Sequence, residues 1–214
     1  VVSMASALAL AACSSSDSDG GLTTPDVPAA TANSGGDDSA LITAVKNDAA
    51  ASQFAARNDD PFDGRVYDHF VAIAEAPDTA ADPADLSGSA GYTGSLEVGE
   101  ENDRILGEIL MNVDFANGDV DGTLDNLRDL DDNDQPGDLD VSFDLTGNVT
   151  DSRLTATFED QFDNGEGGGA ASGRLEGVFV GDGSEVLGEA RIDSVFPDGE
   201  ERLDGTFHAT EQTP

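Results

Sequence analysis

Nucleophilic catalysis and zinc binding both need histidine or cysteine at set positions, and this sequence offers only Cys13, His69 and His208. A Ser/His/Asp triad and a zinc centre are therefore nearly excluded. His208 follows Phe207 in an alternating stretch, so it is expected on the water side as a plain solvated histidine. Asp and Glu number 45 against nine Lys and Arg, and closeness of two carboxylates in sequence carries no information. Acid–base catalysis needs carboxyls in contrasting environments, whereas most of these belong in water. The glycine-rich residues 165–169 follow acids and lack the lysine of a phosphate-binding loop. The expectation is a protein that is not an enzyme.

Two patterns remain. Asp129, Asp131 and Asn133 have the alternating oxygen spacing of a calcium loop. Asp134, however, stands where such a loop needs glycine, and Asp140 where it needs a bidentate glutamate. A weak calcium site, at about 10⁻⁴ to 10⁻³ M, is the most they would form, and a solvated loop is the plainer reading. No other cofactor is expected. Cys13 carries the second pattern, as the sole cysteine after an apolar stretch too short for the roughly 20 residues of a membrane span. Residues 1–12 look like the hydrophobic part of a signal peptide, and Leu10-Ala11-Ala12-Cys13 resembles the lipobox of bacterial lipoproteins. That resemblance implies acylation of Cys13 and a membrane partner reached through the lipid anchor. Ser14 in place of aspartate favours the outer membrane, on its periplasmic or cell-surface face, by resemblance to enterobacterial sorting.

These residues must be positioned by a fold that tolerates extreme acidity. The formal net charge is −36, which repels nucleic acid and anionic lipid, so no nucleic-acid partner is expected. With Lys46 the only lysine, such a surface suits a salt-rich setting, and stability should rise with ionic strength. Residues 13–38 are rich in Ser, Asp, Gly and Pro and read as a disordered tether. Asp38 or Ser39 caps an expected helix to about Arg57, with Leu41, Ile42, Val45, Ala49 and Phe54 near one face. Asp59-Asp60-Pro61 should end it. Residues 66–74 fit strand or helix equally, so residues 39–85 form a small helical or mixed segment.

Residues 86–214 switch to a period of two. Leu139, Val141, Phe143, Leu145, Gly147 and Val149 alternate with polar neighbours, as do Ile105, Gly107, Ile109, Met111, Val113 and Phe115. The rhythm recurs around Tyr92, Val120, Leu154, Leu175, Val186 and Leu203, giving about eight strands separated by turn signals such as Asn117-Gly118 and Gly181-Asp182-Gly183-Ser184. Short turns make antiparallel neighbours, and an apolar face on every strand is buried by closure, so the expected fold is an eight-stranded antiparallel up-and-down β-barrel, with a sandwich second. Outward Asp119, Asp121, Asp125, Arg174 and Glu176 exclude a membrane-spanning barrel. Inward glycines between bulky residues, as in Leu175, Gly177 and Phe179, predict a filled lumen. Recognition would then use the connections, chiefly residues 128–138 and 163–172, and the segment 41–76.

The run from Ser87 to Gly94 and that from Val113 to Leu124 resemble the opening strands of the transferrin-binding protein B-like β-barrel lipoproteins. Residues 173–181, 184–188 and 203–207 are similar to that family's closing hairpins, whereas Glu189 and Ala190 depart from it. The resemblance implies a lipid-anchored barrel with a non-enzymatic binding role toward a protein or an iron- or haem-related solute, and a monomer is expected. One reduced lobe fits this length, so transferrin specificity is not implied. A structural envelope lipoprotein or a calcium-dependent adhesion module is the alternative.

Overall fold

The computed structural model describes residues 38–56, 62, 64–100, 103–130, 136–139, 141–162, 169–196 and 199–212. Among these residues two helices, α1 (Asp38–Ala56) and α2 (Arg65–Glu75), precede nine strands. These are β1 (Ser89–Glu100), β2 (Asp103–Asp114), β3 (Asp119–Leu130), β4 (Pro136–Asp138), β5 (Phe143–Thr150), β6 (Arg153–Phe162), β7 (Gly169–Val180), β8 (Glu185–Phe196) and β9 (Gly199–Glu211). Every pairing is antiparallel. The order β2-β1-β9-β8-β7-β6-β5-β3 closes on itself through a β2–β3 pairing, and β4 is a short addition to β3. The architecture is the expected closed eight-stranded up-and-down barrel.

Alternation decides which side chains enter the lumen. Tyr92, Leu96 and Val98 of β1, Ile109, Met111 and Val113 of β2, and Leu175 and Phe179 of β7 are buried there, with Phe207 of β9. The inward glycines make room for them. A Cβ on Gly177 would lie 2.5 Å from Phe207 Cζ, and one on Gly188 would lie 2.6 Å from Phe207 Cε1, so the Phe207 ring occupies the space that two neighbouring strands leave empty. Gly118, at φ 76°, closes the β2–β3 turn and accepts a 2.7 Å hydrogen bond from Val149 N, while Asp151 takes φ 57° in the β5–β6 turn.

The helices form a second layer outside the barrel. Ile42, Val45 and Ala49 of α1 and Val66, Phe70 and Ile73 of α2 are buried with Leu106, Val178, Val180 and Leu187, which point outward from their strands. Residues 66–74, equally strand or helix by sequence, are helical because Val66, His69, Phe70 and Ile73 repeat at the spacing of one helix face. Within the layer, Lys46 Nζ of α1 bonds Ala76 O at the end of α2 and Asp78 just beyond it. Asp38 belongs to α1 rather than to a tether, since it accepts from Ser152 Oγ at 2.7 Å and Arg153 Nε at 2.6 Å.

Three boundaries differ from expectation. β5 starts at Phe143, because Leu139 N donates to Leu127 O at 2.9 Å outside any strand ladder, although Leu139 and Val141 still pack on the core. The supposed loop at 128–138 is partly sheet, with Arg128, Asp129 and Leu130 paired to Asp138, Gly137 and Pro136. The supposed loop at 163–172 gives residues 169–172 to β7, where Ala170, Ala171 and Ser172 pair with β6.

Candidate functional site

The residues expected to do chemistry are not brought together. Cys13, Asp131 and Asn133 lie outside the described residues, and Asp129 stands in β3 opposite Gly137. Among the described residues no group of three or more His, Cys, Asp or Glu is placed to hold a metal ion. His208 does point away from the lumen, but it is not solvated: it is only 7% exposed, and its Nε2 lies 2.9 Å from Glu185 Oε2. The alternation gave its side correctly, and across the sheet it stands opposite Leu187, whose outward side chain packs in the helical layer.

Beneath α2 the outer wall holds a polar cluster that sequence alone did not indicate. His69 Nδ1 lies 2.7 Å from Ser95 Oγ and its Nε2 lies 3.0 Å from Thr206 Oγ1. Next to them Arg104 Nε meets Glu97 Oε1 at 3.1 Å, and the Arg104 guanidinium sits 6.0 Å from the Phe70 ring centroid. Burial pushes the Glu97 carboxyl up to about 7, against the pull of Arg104. Burial, with His208 and Arg104 nearby, pushes His69 down to about 3. A Ser–His contact suggests a nucleophile and base, but an imidazole held neutral so far below ordinary pH is a poor proton acceptor. The pair is better read as hydrogen bonding that satisfies a buried histidine.

Beside this cluster the wall opens into a groove of about 450 Å³ lined by Arg65, Thr93, Ser95, Glu108, Leu110 and Asn126, among others. Arg65, in the first turn of α2, reaches Glu108 with Nη2–Oε1 at 2.9 Å. Asn126 Nδ2 donates to Glu108 Oε2 at 2.8 Å from a left-handed backbone, φ 51°. The register between β2 and β3 slips at this point, between Leu106 and Glu108. Bulges of this kind re-aim side chains and recur beside binding sites. The signal that could have found the groove is Leu110, an apolar residue out of phase with Ile109 and Met111.

No protein-family model matches the chain, and no curated protein matches it. Among solved structures, a rhizavidin–biotin complex is similar over 60% of this chain and 96% of its own, at 15% identity and TM-score 0.35. A second rhizavidin structure is similar over 62% of this chain and 93% of its own, at 13% identity and TM-score 0.36. Similarity this distant says nothing of what this barrel binds.

Proposed function

We propose that this chain is a non-enzymatic binding protein, held to the outer membrane by an acyl group on Cys13, whose barrel is a scaffold and whose recognition surface lies on the outside. The observation that carries this is the filled lumen. Phe207 occupies the space over Gly177 and Gly188, and Tyr92, Phe179 and Leu175 are fully buried around it. Such packing opposes the roughly 300 Å³ that a small-molecule site needs inside. The outer groove with Arg65, Glu108 and Leu110 is the concave surface left for a partner. The resemblance to transferrin-binding protein B-like lipoproteins favours an anchored barrel with a protein or an iron- or haem-related partner.

Native mass spectrometry of the protein purified from its own cells tests the filled scaffold. The expected mass is that of the processed, acylated polypeptide alone. A retained small molecule would overturn external recognition and make the barrel a carrier. In the same cells Cys13→Ser should move the protein to the soluble fraction, and persistence in membranes would remove the anchor.

A further inference from the structure

Several apolar side chains break the alternation by pointing out of the barrel. Leu106, Val178, Val180 and Leu187 do so and are covered by α1 and α2. Leu110 also points out, but it is 47% exposed, the one large apolar side chain so exposed among the described residues. Around it the outward positions of β2, β3 and β5 hold Glu108, Asp114, Asp119, Asp121, Asp125 and Asp144. Glu108 faces Asp125 directly across the strands and Asp114 faces Asp119, an arrangement that like-charge repulsion disfavours. Arg65 at the groove's edge answers Glu108.

The acids on the other side of the barrel are arranged differently. On β7, β8 and β9 the same chain sets arginines beside its acids: Arg174 with Glu176 at 3.4 Å, Arg191 with Asp204 at 2.6 Å and Arg202 with Asp193 at 2.6 Å. Between positions 108 and 125 the outward residues include no cation, and the wall's Arg128 lies further along β3, opposite Leu106 and Asp138. Carboxylates that outnumber the one arginine bonded to them, set around an uncovered leucine beside a groove, make a surface complementary to positive charge with an apolar centre.

We propose that this bare wall docks a cationic segment of a partner protein, a lysine- or arginine-rich stretch with an apolar side chain that covers Leu110. It rests on the external recognition argued above. Extended or helical, such a segment would set its charges against Asp119, Asp121 and Asp144 while its apolar residue enters beside Leu110.

The test uses the full chain and two fluorescein-labelled oligolysine peptides, one with a central leucine and one with serine in its place, followed by anisotropy at about 0.15 M salt. The leucine peptide should bind the wild type about fivefold more tightly than the serine peptide. Neutralising the wall with Asp119→Asn, Asp121→Asn and Asp144→Asn should weaken binding about tenfold. Neutralising the same number of acids elsewhere, with Asp48→Asn, Glu75→Gln and Asp85→Asn, should change it less than about twofold. Leu110→Thr, which suits a strand, should keep the fold and abolish the preference for leucine over serine. Equal losses from the two triple variants would reduce the effect to general attraction by a −36 polyanion and overturn the proposal. So would absence of binding, or an undiminished leucine preference in Leu110→Thr. If native mass spectrometry shows an empty lumen while oligolysine fails to bind, the docking partner is wrong and external recognition stands.

Discussion

The barrel has two unlike outer walls built on one alternating pattern. On one side, outward apolar residues of β7, β8 and the start of β2 are sealed by α1 and α2, and even the polar outward groups Glu97, Thr206 and His208 are buried. From Glu108 onward in β2, and along β3 and β5, outward residues are polar, many of them acidic, and no helix seals them, with Leu110 exposed among them. The lumen treats the two halves alike, since strands from both contribute inward leucines, valines and phenylalanines. A two-residue period therefore fixes what faces inward, while a separate element decides whether the outward side is core or surface.

The largest effect should come from the lumen that both walls share. Gly177→Leu places a side chain where Phe207 Cζ and the Leu187 carbonyl already stand, with its Cβ only 2.5 and 2.9 Å away from them. The cost should reach about 3 kcal/mol or more, enough to unfold a marginally stable domain. Circular dichroism and thermal melts should show loss of the cooperative transition. A variant that melts like the wild type would mean the lumen has slack, and the scaffold reading would lose its basis.

The next test contrasts the walls directly. Phe70→Ala removes a fully buried ring from the seam between α2 and the barrel and should cost about 3 kcal/mol in chemical denaturation. Leu110→Thr, on the bare wall, should stay within about 0.5 kcal/mol of the wild type. Comparable losses at the two sites would show that Leu110 is buried in solution, by a second copy or by the chain itself, and would remove the distinction between the walls.

What was legible in the sequence follows the same division. The strands of the barrel were readable because each is long enough for the period of two to show, and Gly177 and Gly188 announced a filled lumen because small residues recurred between large ones. The second helix was ambiguous because Val66, His69, Phe70 and Ile73 span little more than two turns. The β4 pairing was hidden because Arg128, Asp129 and Leu130 lie in an acidic stretch whose sheet partners begin at a proline. The polar cluster could not be read at all. His69, Ser95, Glu97, Arg104 and Thr206 come from separate elements, and only closure of the barrel beneath α2 makes them neighbours.

A smaller effect should separate the walls by pH. Glu97 titrates near 7 when folded and near 4.5 when free, so the folded state holds its proton more tightly. That stabilisation is present at acid pH and is lost as pH rises through about 7. His69, lowered from 6.5 to about 3, acts in the opposite direction: its contribution is complete above 6.5 and is lost as pH falls toward 3. The two oppose each other between 4.5 and 6.5, and above 6.5 Glu97 acts alone. Melting temperature should therefore fall between about pH 6.5 and 8, and the slope should vanish in Glu97→Gln. A bare-wall variant such as Asp144→Asn should leave the slope unchanged. Persistence of the slope in Glu97→Gln would assign it to another group.

The smallest effects concern exposed charges and should differ in sign between the walls. Asp119 faces Asp114 across the β2–β3 pair, so Asp119→Asn relieves a like-charge contact and should stabilise by a few tenths of a kcal/mol at low salt, about 0.2–1 kcal/mol at most. Arg191 meets Asp204 at 2.6 Å on the other side of the barrel, so Arg191→Gln should destabilise by a similar amount. Both differences should shrink toward zero at 1 M sodium chloride, where the screening length is about 3 Å, while the wild type itself gains stability from the screening of its −36 charge. Denaturant titrations at low and molar salt measure all three. Asp119→Asn has a second consequence, because the charge that hurts folding is the charge proposed to hold a cationic partner. The variant should thus fold slightly better and bind oligolysine less well. A variant that gained stability without losing affinity would mean that the acids of the bare wall serve solubility alone.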